Sequence, residues 1–143
     1  MIGIVVTGHG NFASGVTSAL KLICGMPESL EIVDFPQEDG IDQLRAKLNT
    51  AFNNLSECPS ILVFSDLAGG SPFKTAVEES MHYDKPIVVL AGTNLGSLIE
   101  TTMSRAFVED IEQLAASAIS TGKDQVLRYE NKVHEEVESD DGI

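Results

Sequence analysis

The chain has no tryptophan, and its aromatic residues amount to 6% of 143 positions. Its core therefore has to be built from Ile, Val, Leu and Ala. Basic residues are also scarce: 9 Lys and Arg stand against 22 Asp and Glu, a formal net charge of −13. Too few cations are present to neutralise a run of phosphates, which argues against nucleic acid and against an anionic membrane surface as partners. The excess acid favours solubility, and an acidic face would also steer a basic protein partner. Cysteine is limited to Cys24 and Cys58, whose spacing matches neither a zinc site nor a CxxC pair. They read as two small buried apolar residues in a reducing, cytoplasmic compartment. The first twenty residues hold no charged side chain. Even so, the apolar run Ile2–Val6 is short, lacks a positive flank and breaks into Thr7-Gly8-His9-Gly10-Asn11. It reads as neither a signal peptide nor a membrane span.

What is present has a clear rhythm. A length of 143 residues and a hydrophobic fraction of 43% suit one globular domain. Four short apolar runs, 2–6, Leu30–Phe35, 61–64 and 86–90, alternate with stretches of helical periodicity. Phe12, Val16, Ala19, Leu20 and Ile23 mark one helix, with Asn11 as its expected cap. Ile41, Leu44, Leu48, Phe52 and Leu55 mark a second, and Phe73, Ala76, Val77 and Met81 a third. Two further helical patterns follow, on Leu95, Leu98 and Ile99 and on Ile111, Leu114, Ala115 and Ala118. Gln125–Tyr129 reads as a short last strand. Residues 131–143 are acidic and read as a disordered tail or linker remnant, leaving 1–130 as the domain. No internal repeat is found. Strands that are apolar throughout, separated by amphipathic helices, imply an α/β fold with a mainly parallel sheet covered on both faces.

In such sheets ligands bind at the carboxyl ends of the strands. That rule selects the loops 7–11, 65–71 and 92–94, which are the glycine-rich ones. In Gly8-His9-Gly10 the flanking glycines allow a tight turn and leave the imidazole uncovered, with a helix N-terminus directly after it. In Asp66-Leu67-Ala68-Gly69-Gly70-Ser71-Pro72, the Ser-Pro pair predicts a helix start with Ser71 as the capping hydroxyl. Gly69 and Gly70 offer backbone N–H groups for an anion. Asp66 either serves as a turn or cap residue or accepts the Nδ1–H of His9, which would leave Nε2 as a nucleophile toward phosphorus. Gly10 and Ser71 join the expected phosphate contacts, and Asn94 either lines the crevice or serves a turn. His82 reads as a helix-end residue and His134 as a solvated one.

Two other readings compete. Gly8-His9-Gly10-Asn11-Phe12-Ala13 fits the dinucleotide fingerprint, with Asp34 near the position of a ribose-binding acid. Against that reading, a bulky histidine would crowd a pyrophosphate, the chain is short for an added substrate domain, and the Asp66–Ser71 loop would have no role. A scaffolding domain, with both glycine loops structural, is the third class.

Taken together and in order, Gly8-His9-Gly10, Asp66 with Gly69-Gly70-Ser71-Pro72-Phe73, and Ala91-Gly92-Thr93-Asn94 resemble the IIA component of the mannose-family bacterial sugar phosphotransferase system. The resemblance spans about residues 1–130. It implies four parallel strands plus a fifth antiparallel strand, Gln125–Tyr129, exchanged within a homodimer. It implies that His9 is phosphorylated by the carrier HPr and passes phosphate to a separate IIB component, which serves membrane IIC and IID components. Asp66 would orient His9 and Ser71 would contact phosphate, with neither cofactor nor metal. Some members carry a hydroxyl residue directly after the aspartate, where this chain has Leu67. A related branch serves dihydroxyacetone phosphorylation instead; the motif forms lie nearer the sugar branch, whose substrate they do not name.

Overall fold

A computed structural model describes residues 1–131. His134 and all but the first residue of the acidic tail lie outside the described residues. The order is β1 (Gly3–His9), α1 (Phe12–Cys24), β2 (Leu30–Phe35), α2 (Ile41–Asn54), β3 (Ile61–Phe64), α3 (Ser71–Ser80), β4 (Ile87–Leu90), α4 (Leu95–Ser104) and α5 (Ile111–Asp124). The four strands form one parallel sheet in the order β2-β1-β3-β4.

Alternation along each strand sorts the core into two layers. Ile4 and Val6 of β1 and Leu62 and Phe64 of β3 face α1, α4 and α5, where they meet Leu20, Leu98 and Leu114. Val5, Val33, Ile61 and Val63 face α2 and α3, where they meet Leu44, Leu48, Phe52 and Ala76. Both faces of the sheet are covered, as continuous apolar strands require.

The strand order decides where a site can form. The chain leaves β1 outward to β2, then returns to lay β3 on the other side of β1. The loops after β1 and β3 therefore diverge, α1 toward one face and α3 toward the other. The gap between them is the switch point of the sheet, where open α/β folds bind ligands. His9 ends β1 and Asp66 follows β3 at that gap.

Two local expectations need correction, and the short last strand, expected to pair with a second subunit, is not formed within the described residues of one chain. Gln125–Tyr129 forms no strand: α5 runs to Asp124, Gln125 closes it, and Val126, Leu127 and Tyr129 are largely exposed. A strand is defined by a neighbour's hydrogen bonds, and within this chain the segment finds no such neighbour among the described residues. Helix α3 buries Pro72, Thr75, Ala76 and Glu79, while Met81 lies beyond the helix and is exposed. The apolar spacing misses this because Thr75 and Glu79 hold inward positions, Glu79 being ion-paired to Arg45 at 2.5 Å and hydrogen-bonded by Asn49 at 2.8 Å. Cys58 is buried but Cys24 is exposed, on the last turn of α1 where the helix has passed the core.

Candidate active site

The site is built by the turn that ends β1. The backbone N–H of His9 and its Nδ1 both reach Asp66 Oδ2, each at 2.8 Å. The second oxygen, Oδ1, accepts the N–H of Leu67 at 2.8 Å. One carboxylate thus fixes both the main chain and the ring of His9. Burial pushes the Asp66 carboxyl up. The His9 backbone N–H, the His9 ring and the Leu67 N–H outweigh burial and hold it below its ordinary value. An ionised Asp66 only accepts, so Nδ1 carries the ring proton and Nε2 keeps its lone pair. The imidazole is 47% exposed against 16% for the carboxylate. Nε2 has no hydrogen-bond partner among the described residues and keeps its lone pair unengaged.

Two neighbours shape the ring's position. Phe35 stands beside it, with ring centroids 6.1 Å apart and planes at 59°. The other neighbour is Gly70, at the cap of α3. A Cβ at Gly70 would come within 2.7 Å of His9 Cε1 and 3.4 Å of Nε2. Gly70 is thus required as space for the imidazole. Gly70→Ala is expected to push the ring away from Asp66 and to slow any reaction at Nε2 about 100-fold, as misplacement by an ångström does. An unchanged ¹⁵N spectrum of the His9 ring in that variant would contradict this packing.

The expected phosphate donors divide into two groups. Gly10 adopts φ +57° and closes a bridge to β2: its N–H donates to the Phe35 carbonyl at 2.8 Å and its carbonyl accepts from Phe35 N at 3.2 Å. The Gly70 N–H donates to the Leu67 carbonyl at 3.1 Å. Neither N–H is free for an anion, because each closes the turn that shapes the loop. The N–H groups of Gly69, at φ +79°, and of Ser71 have no partner among the described residues and open at the start of α3. Ser71 is the first residue of α3 and not its cap; Gly70 takes the cap position and supplies no side chain. The Ser71 hydroxyl is left without a capping bond.

Helix α1 departs from expectation in a similar way. Asn11 occupies the cap position, but its side chain makes no capping bond. Asp34 takes the role from the neighbouring strand, its Oδ1 accepting the Ser14 N–H at 2.9 Å. The acid on which the dinucleotide reading depended is thus engaged by α1 through one of its oxygens. The space beside Gly8 is also filled: a Cβ there would lie 2.5 Å from Phe12 Cδ2. Gly8 serves the packing of Phe12.

The third glycine loop braces the second. Gly92 N–H donates to the Asp66 carbonyl at 3.1 Å, and Thr93 Oγ1 donates to the Ser65 carbonyl at 2.8 Å. Buried Ser65 donates its own hydroxyl to the Leu90 carbonyl at 2.6 Å. Asn94 caps α4 by accepting the Ser97 N–H at 3.1 Å, and its amide donates to the Gly122 carbonyl at 2.9 Å. It lines a cavity of about 260 Å³ at the end of β4 with Phe64, Leu90 and Lys123, and its polar atoms are already engaged. His82 is exposed at the end of α3, held through its backbone N–H to Glu79. Sequence reasoning missed Phe35, Ser65 and Thr93. Their roles depend on strand register, which brings Phe35 opposite His9 and sets Phe64 beside Leu90.

The family model described as "PTS system fructose IIA component" (EIIA-man) matches residues 3–119. The chain belongs to this mannose-type IIA family of the phosphotransferase system. Among related proteins, the "PTS system mannose-specific EIIAB component" of Escherichia coli K12 is 31% identical over 134 residues, covering 92% of this chain. This IIA chain spans only 40% of that relative's length. The "PTS system fructose-specific EIIA component" of Bacillus subtilis is 30% identical over 105 residues, 73% of this chain and 71% of its own. Among solved structures, the phosphotransferase system component EIIA of Streptococcus agalactiae has a TM-score of 0.83 at 33% identity, covering 90% of this chain and 97% of that one. The mannose/sorbose-specific IIA subunit of Enterococcus faecalis has the same TM-score at 28% identity, covering 94% and 98%. The IIA fold, with four parallel strands and helices on both faces, is thus shared. Among the described residues no helix is long and apolar enough to cross a membrane.

Proposed function

We propose that this IIA domain is a phosphoryl carrier for sugar uptake, with His9 as the residue that bears the phosphate. The observation that carries the reading is the single carboxylate oxygen of Asp66 holding both the backbone and Nδ1 of His9 while Nε2 stays open. In the forward step the Nε2 lone pair attacks phosphorus in line. The N–P bond of the donor phosphohistidine breaks, and its electron pair returns to the donor ring. Nδ1 keeps its proton throughout and hydrogen-bonds through it to Asp66, whose negative charge stabilises the positive phosphoimidazole. The chemistry asks little of the protein beyond position and charge. The free N–H groups of Gly69 and Ser71, the Ser71 hydroxyl and the dipole end of α3 receive the equatorial oxygens.

The donor is phospho-HPr and the acceptor a IIB component, which passes phosphate onward to sugar entering through membrane IIC and IID components. Both partners must bring a reactive atom to Nε2, which an imidazole on an open surface allows. The domain comprises residues 1–130, works in the cytoplasm, and pairs as a homodimer through residues 125–129. The exposed Val126, Leu127 and Tyr129 and the unpaired outer edge of β4 support that pairing.

Incubation with phosphoenolpyruvate, enzyme I and HPr tests the proposal. The expected product carries one phosphate per chain, labile in acid and stable in base. If no label enters the chain while HPr itself is labelled, the carrier reading fails.

A further inference from the structure

Phosphorylation brings about two negative charges to a corner already occupied by Asp66, on a chain whose net charge is −13. The backbone N–H groups offer partial charges only, so it matters which full cation stands near Nε2. Of the 9 Lys and Arg, four are held by partners elsewhere, and Arg128 lies beyond the end of α5. Arg45 pairs with Glu78 and Glu79, and Lys47 with Asp39. Lys85 is held by the carbonyls of Leu55, Ser56 and Cys58, and Arg105 by those of Ile2, Glu28 and Ser29. Lys21 and Lys123 stand in the last turns of α1 and α5.

Lys74 is different. It lies one turn into α3, and its N–H bonds the Gly70 carbonyl at 2.9 Å. It therefore shares a face with the residue that touches the His9 ring. The inward side of α3 is Pro72, Thr75, Ala76 and Glu79, so this face is the outer one, and Lys74 is exposed on it. Helical side chains lean toward the N-terminus and cover the preceding turn, which here is Gly70 and the open N–H of Ser71. Its natural i+4 carboxylate, Glu78, is turned to Arg45 at 3.2 Å. The Lys74 ammonium has no partner among the described residues.

We propose that Lys74 is a phosphoryl-binding residue: its ammonium folds back over Gly70 and pairs with an oxygen of the phosphate on His9 Nε2. This deepens the carrier reading and rests on it. The pair forms only in the phosphorylated state. Lys74 therefore shifts the transfer equilibrium toward this chain and lowers the pH at which the phosphate takes its second negative charge.

The test uses Lys74→Gln and Lys74→Arg, substitutions close in helix propensity. Each variant is equilibrated with phospho-HPr, and the partition of phosphate is measured beside a ³¹P pH titration of the phosphohistidine. Lys74→Gln is expected to move the partition about threefold to tenfold back toward HPr and to raise the phosphate's second ionisation, on the scale of one charge-assisted hydrogen bond. Lys74→Arg should keep both parental values. An unchanged partition and titration in Lys74→Gln overturns the proposal, as does an equal loss in both variants, which would mark a packing role. If the parent chain takes no phosphate while HPr is labelled, the carrier function itself fails, and this inference with it.

Discussion

His9→Gln is expected to reduce phosphate uptake from phospho-HPr to background while leaving the fold intact. Glutamine is of similar length and its side-chain NH2 can still donate to Asp66, but an amide nitrogen has no lone pair free to attack phosphorus. The side chain it replaces is about half exposed and lies beside Phe35, Gly70 and Asp66 at the rim of the sheet, so little core contact is lost. The measurement is the stoichiometry of acid-labile phosphate per chain beside thermal unfolding of the same sample. His82 serves as the internal control, being exposed without a carboxylate hydrogen bond; His82→Gln should label fully. Label persisting in His9→Gln would place the phosphate on another residue and remove the site described above.

Asp66→Asn is expected to fold normally and to transfer phosphate about 10²–10⁴-fold more slowly, the range seen when a histidine loses the carboxylate that fixes its tautomer. The geometry gives the reason. Asp66 accepts three N–H groups, two from His9 on one oxygen and one from Leu67 on the other. An asparagine amide has one oxygen and one NH2. If its oxygen faces His9, its NH2 confronts the Leu67 N–H; if its oxygen faces Leu67, its NH2 confronts both His9 donors. The second orientation favours the wrong tautomer, with the proton on Nε2. Either orientation also removes the negative charge opposite the phosphoimidazole. Transfer rates by rapid quench, with ¹⁵N shifts of the ring to report the tautomer, check both parts. Parental rates in Asp66→Asn would end the positioning role. The same pairing gives a pH signature. Asp66 titrates below its ordinary value of 3.8, so its contribution is fully present above that pH. It is lost only as the pH falls through the lower folded-state value. The Nδ1–H···Asp66 bond should therefore survive to lower pH than an ordinary carboxylate would allow, which an acid titration of the same ¹⁵N signals would show.

How much of this could be read in advance depends on the range of the interaction. Apolar runs and helical spacing placed β2 and β3 at their observed bounds and located the other elements closely, since each is decided by its own residues and their solvent contact. Where a partner from another element intervened, local reading failed. The Asn11 cap was displaced by Asp34 from a neighbouring strand. The serine of Ser71-Pro72 proved to be inside the helix, because Gly70, in an extended conformation, takes the cap position and lies against His9. Glu79 sits on the inward face of α3 because Arg45 and Asn49 of α2 receive it.

The amino-acid order by itself fixed the parallel α/β class and the three glycine-bearing strand ends. Those are properties of short segments, and hydrophobic periodicity and turn chemistry encode them directly. Only the tertiary structure decided which N–H groups stay open. Gly10 and Gly70 were spent on closing turns, and Gly69 and Ser71 were left. It also made Gly8, read as a turn residue, and Gly70, read as an anion donor, required spaces for Phe12 and His9. Vacant donors and forbidden side-chain volumes exist only between segments distant in the chain, and strand order and register alone set those distances.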